Sequence, residues 1–117
     1  MNLLDRVLRD SAPEYRDFLQ GLPEEKLVGD VVLLYGLAVL QERNHTYEVQ
    51  EYLPEWFTLG DDSGGNQLLM RLDGTPAVYS CDAGALGSIE PDLIHPRFAE
   101  WLTQGCPRAR PAPYGRH

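Results

Sequence analysis

Asp61 and Asp62 stand side by side in the segment Gly60-Asp61-Asp62-Ser63-Gly64-Gly65-Asn66. Two adjacent carboxylates could give oxygens to Mg²⁺ or Ca²⁺ or serve as an acid–base pair, and either would suit a small metal-dependent hydrolase. Adjacent side chains tend to point apart, however, and a hard cation needs several further oxygens. The Asp-x-Asp-x-Asp spacing with a distal Glu is missing. Ser63 would be a nucleophile only beside a histidine base and an orienting carboxylate, and His45 is its one upstream candidate. His45, His95 and His117 are far apart and show no His-x-x-x-His pairing. A zinc site from Cys81, His95 and Cys106 would need three isolated residues to converge. The segment reads instead as a structural turn. Gly60, Gly64 and Gly65 supply backbone freedom, and the Asp and Asn side chains can bond their own main chain. No catalytic residue, metal site or cofactor is expected.

A second set of residues points to binding. Tyr47-Glu48-Val49-Gln50-Glu51-Tyr52-Leu53-Pro54-Glu55-Trp56 interleaves aromatic side chains with acids and never with bases. Platforms for single-stranded nucleic acid interleave aromatics with Lys or Arg, so the charge here has the wrong sign for that ligand. Aromatic anchors inside an acidic rim suit a basic protein surface. The expected contact residues are Tyr47, Glu48, Glu51, Tyr52 and Glu55, joined by Asp61, Asp62 and Asn66. Packing competes for part of this segment, because Leu53, Trp56 and Tyr52 could also cover a sheet.

The whole chain agrees with that sign. Its 117 residues hold 18 acidic and 10 basic side chains, a net charge of −8. Three of the basic residues, Arg108, Arg110 and Arg116, lie in the last 13 positions; the rest of the chain keeps seven against 18 acids, or −11. Such a field repels nucleic acid and anionic lipid, which are bound by neutralising phosphates, and speeds encounter with a basic partner. Two cysteines without zinc-like spacing are expected to be free thiols in a reducing compartment. The N-terminus has an acid where a signal peptide has its basic region. The longest apolar run, Val31 to Leu40, is broken by Gly36 and is half the roughly 20 residues of a spanning helix. A cytoplasmic protein is expected.

The elements that must position these residues fit one domain. Leu3, Leu4, Val7 and Leu8 give a short amphipathic helix over 2–10. A second helix begins with Ser11 as cap, Pro13 in the first turn and Glu14 as in a capping box, buries Tyr15, Phe18 and Leu19, and stops at Gly21 and Pro23. Val31 to Tyr35 reads as a buried strand and Leu37 to Arg43 as a helical turn closed by Asn44. Residues 46–54 are ambiguous. Trp56 to Leu59, Gln67 to Leu72 and Ala77 to Cys81 read as strands, joined by the 60–65 turn and by Asp73-Gly74. Such short loops require antiparallel pairing. Residues 83–91 read as loop and 96–103 as a last helix. The domain is expected to span 1–104. The Pro- and Arg-rich segment 105–117 is expected to be a flexible tail, since it cannot bury enough apolar surface to order itself.

Several short motifs, taken in order, carry a family likeness. Leu34-Tyr35-Gly36-Leu37 is followed by Glu42-Arg43-Asn44, Leu53-Pro54, the Gly60 to Asn66 turn, and Ala77-Val78-Tyr79 with Asp82. The Pro13 to Leu19 helix and the Arg97 to Leu102 helix flank them. Over about residues 13–102 the chain resembles the SUKH superfamily, named for a fungal regulator of cell-wall assembly and including many bacterial immunity proteins. It departs from many members around Asp82, where Ser80, Cys81 and Ala83 stand in place of a nearby Trp or His. The resemblance implies an α+β fold in which N-terminal and C-terminal helices pack on a twisted, mainly antiparallel sheet. It also implies non-catalytic protein binding, with neutralisation of a basic, nuclease-type toxin by direct contact as one form. A housekeeping interaction or regulatory protein without a toxin would have the same sequence features.

Overall fold

The computed structural model describes residues 2–107. Two short helices open the chain, α1 (Leu3–Asp10) and α2 (Pro13–Gln20). Strands β1 (Lys26–Val28) and β2 (Val32–Leu34) follow, then helices α3 (Leu40–Thr46) and α4 (Val49–Tyr52). Strands β3 (Trp56–Asp61), β4 (Asn66–Arg71) and β5 (Val78–Asp82), a single 3₁₀ turn over Ala83–Ala85, strand β6 (Asp92–His95) and helix α5 (Phe98–Thr103) complete it. The six strands form one sheet in chain order, each antiparallel to its neighbour. The chain therefore has the expected α+β architecture, with the terminal helices packed on the sheet. Among the described residues no helix is long and apolar enough to cross a membrane.

Both sheet faces are covered, which is why Phe57 to Gly60 and Gln67 to Met70 are buried without a break. Side chains alternate across a strand. Phe57, Leu59, Leu68 and Met70 pack with Tyr15, Leu19, Phe98 and Trp101 of α2 and α5. Leu69 and Cys81 point the other way and pack with Val49 of α4 and Leu86. Tyr15 sits at the centre of the larger core, edge-on to Phe98 at 5.1 Å and 5.3 Å from Phe57. Area burial by such side chains is worth roughly 1.5–3 kcal/mol each, so this aromatic cluster supplies much of the driving force.

Several expectations need correction. Ser11 does not cap α2: its hydroxyl donates to Val7 O at 2.6 Å and closes α1, and α2 has no side-chain cap. Glu14 reaches forward to α5 instead of back to its own helix, accepting from Ala99 N at 2.7 Å and Arg97 Nη2 at 2.8 Å. Asn44 lies inside α3, fully buried, and does not end it. Strands β1 and β6 were not expected. Gly60 belongs to β3 and not to the turn; it sits at a register shift, and a Cβ there would collide with Leu33 O of β2. Glycine is required by that close approach of two backbones. Within the segment expected to be a flexible tail, Cys106 is buried in the larger core and Pro107 O accepts from Trp101 Nε1 at 2.8 Å, so these two residues belong to the folded domain. Residues 108–117 lie outside the described residues.

Candidate functional site

The Asp61–Asn66 segment is occupied with its own backbone. Asp62 is 6% exposed. Its Oδ1 accepts from Gly64 N at 2.8 Å and Asn66 N at 3.1 Å, and its Oδ2 from Asn66 Nδ2 at 2.9 Å. Asp61 accepts from Ser63 N at 2.9 Å and from the Tyr35 hydroxyl at 2.7 Å. Gly64 and Gly65 form the turn between β3 and β4. Burial, and then the bond to Asp61, holds the Tyr35 phenol protonated far above its ordinary value. Both neighbouring carboxylates thus accept from turn amides, and Asp61 also accepts from Tyr35.

The other residues with catalytic chemistry are not brought together. Ser63 Oγ donates to Val31 O at 2.6 Å, and no hydrogen bond joins it to His45. His95 Nδ1 accepts from Arg97 N at 3.0 Å. Cys81 and Cys106 belong to the two separate cores. Burial raises both thiols, Cys106 to about 11, with Asp82 and Asp92 adding to the effect at Cys81. Such thiols are poor nucleophiles and poor metal ligands at neutral pH. Among the described residues no group of three or more His, Cys, Asp or Glu could hold a metal ion. His117 lies outside the described residues.

A polar seam missed in the sequence sits under α3. Asn44 Nδ2 donates to Thr58 O at 3.0 Å while Thr58 N donates to Asn44 Oδ1 at 2.8 Å. Gln50 Nε2 bridges from Asn44 Oδ1 to Trp56 O, at 3.1 and 2.8 Å. The Thr58 hydroxyl lies 2.7 Å from Gln67 Oε1. These bonds fix α3 and α4 to the sheet and so position the acidic aromatic segment above it.

That segment forms one wall of a groove of about 420 Å³. Tyr47, Glu48 and Tyr52 line it from the helical side, and Ala83, Leu86 and Ser88 from the loop after β5. Gly87, at φ +83°, lets that loop lie directly on Tyr52: a Cβ there would come within 3.0 Å of Tyr52 Cβ. Glu48 joins α3 to α4 with a left-handed backbone, φ 53° and ψ 40°, a conformation that costs a branched-free L-residue roughly 1–2 kcal/mol. It also lines a smaller depression of about 200 Å³ beside His45 and Glu51. Tyr52 is 52% exposed and Ile89, just past the groove wall, 56% exposed. No ion pair among the described residues involves Glu48, Glu51 or Glu90.

Of the residues expected to make contact, Tyr47, Glu48 and Tyr52 therefore line the groove, and Glu51 lines the smaller depression that shares Glu48. Glu55 does not join them; it is paired with Arg6 of α1 at 3.0 Å. Asp61, Asp62 and Asn66 are bonded into the turn, which meets the loop after β5 where Ala83 N donates to Gly65 O at 2.9 Å and where Asn66 pairs with Asp82. Leu86, Ser88 and Ile89 were missed. The signal available was an isoleucine set in a polar, glycine-rich loop, where nothing local explains an apolar side chain. Compared with models of known protein families the chain matches none, and no curated protein is similar enough in sequence to count as a match.

Proposed function

We propose that this chain is a non-catalytic domain that binds another protein, and that the groove between α4 and the loop after β5 is its contact surface. The observation that carries this reading is half-exposed Tyr52 lining one groove with Glu48 and Leu86, with Glu51 in the depression that shares Glu48, the two acids having no ion-pair partner among the described residues. Aromatic and aliphatic anchors supply burial on binding, and unpaired carboxylates select a basic surface and speed encounter. The Asp61 and Asp62 carboxylates are committed to turn and network bonds, which favours binding over hydrolysis as the role of the acids.

The SUKH resemblance gives the proposal a concrete form: an immunity protein acting in the cytoplasm against a basic, nuclease-type toxin. The test is to ask whether a neighbouring gene encodes a toxin domain and to measure its association with the purified chain. A complex whose association rate falls steeply between low and high salt is expected. A neighbourhood without any toxin domain would sink the immunity form. A cognate complex whose rate is flat across that salt range would sink electrostatic selection by the groove.

A further inference from the structure

Two arginines in this chain are held by the same pair of partners, an aromatic face and a carboxylate. Arg71 Cζ lies 4.9 Å from the centre of the Trp56 ring, and its Nε donates to Asp73 Oδ2 at 3.0 Å. Arg43 Cζ lies 5.4 Å from the centre of the Tyr35 ring, and its Nη2 donates to Glu25 Oε1 at 3.2 Å. A planar guanidinium can stack on a ring and bond a carboxylate at the same time, which an ammonium does less well.

The groove assembles the same parts without a cation among the described residues. Tyr47 and Tyr52 line it, Glu48 lies between them in sequence and Glu51 one residue before Tyr52, and neither acid has an ion-pair partner among the described residues. The chain's own described arginines are committed elsewhere. Arg6, Arg9, Arg43, Arg71 and Arg97 pair with acids, and Arg16 donates to Arg9 O. Resting on the reading of the groove as a protein-binding surface, we infer that it takes an arginine side chain of the partner, the guanidinium lying on Tyr52 and bonding Glu48. Arginine, rather than basic charge in general, is then the feature the groove reads.

The ¹⁵N-labelled full chain can be titrated with capped hexa-arginine and, separately, with capped hexa-lysine at one ionic strength. Amide shifts centred on residues 46–52 and 83–89 are expected. Hexa-arginine should bind at least about threefold more tightly than hexa-lysine. That preference should vanish in Tyr52→Ala and shrink in Glu48→Gln, and it should persist in Glu55→Gln. Tyr52 is half exposed, so the Tyr52→Ala chain should keep a dispersed, folded spectrum. Groove shifts with equal affinity for the two peptides would overturn the arginine inference and leave a basic partner standing. Shifts confined to other acidic surfaces would overturn both. A folded Tyr52→Ala chain that keeps the full arginine preference would also overturn the inference.

Discussion

Asn44 meets both backbone polar groups of Thr58 with one side chain, donating to its carbonyl at 3.0 Å and accepting from its amide at 2.8 Å. Strand β2 pairs with β3 only at Leu33–Asp61 and Leu34–Gly60, and Tyr35 N takes Leu59 O. Thr58 therefore lies past the end of β2, and Asn44 stands in for the missing strand. Asn44→Ala would leave a buried amide and a buried carbonyl unpaired, together with one bond of Gln50. A loss of about 2–4 kcal/mol in chemical denaturation is expected. A loss below 1 kcal/mol would mean that water replaces the side chain.

Tyr15 makes the opposite case. Its ring is central to the core, yet its hydroxyl is buried with no hydrogen-bond partner among the described residues. Tyr15→Phe keeps the ring and removes the desolvated oxygen. It should raise stability by about 1 kcal/mol. A clear destabilisation would show that the hydroxyl is bonded in solution.

Much of this was legible from local pattern. The short apolar runs within β3, β4 and β5, with glycine-rich and Asp-Gly turns between them, declare an antiparallel sheet because run length and turn chemistry agree. Strand β1 is three residues long and carries exposed Leu27 and Lys26, so it has neither length nor alternation to announce it. Strand β6 sits between Pro91 and Pro96, residues that argue against a strand unless it lies at an edge, where it does lie. The site was half legible. Tyr47, Glu48, Glu51 and Tyr52 fall in one short patterned segment, while Ala83, Leu86 and Ser88 become a wall only through the fold, where Gly87 packs on Tyr52. Asp61, Asp62 and Asn66 were read both as turn and as contact residues, and their bonds hold the turn.

Alkaline pH should weaken the fold. Burial pushes the Cys106 thiol up to about 11 from an ordinary 9.0. Between those values the folded chain keeps a proton that the unfolded chain has lost, so stability falls as pH rises through that window. The buried Tyr15 and Tyr35 phenols, raised from 10.0, extend the loss above pH 10. Cys106→Ala should flatten the slope of stability against pH between 9 and 11, whatever its effect at pH 7. An unchanged slope would show that the thiol ionises freely in the fold.

Glu48 holds a left-handed backbone that glycine adopts without penalty. Relief of that strain, less the greater entropy of an unfolded glycine, leaves Glu48→Gly more stable by about 0.5 kcal/mol. The same change removes a groove carboxylate and should weaken partner binding. Stability and binding moving in opposite directions would mark Glu48 as retained for contact. A variant that is less stable and binds equally well would assign it a structural role.

The groove is tested most directly by reversing its charge. On the proposed reading, the affinity of the chain for its basic protein partner should fall at least about a hundredfold in Glu48→Lys/Glu51→Lys, and should be unchanged in Glu55→Gln, whose acid faces Arg6. Wild-type affinity in the folded double variant would place the contact surface elsewhere on the molecule.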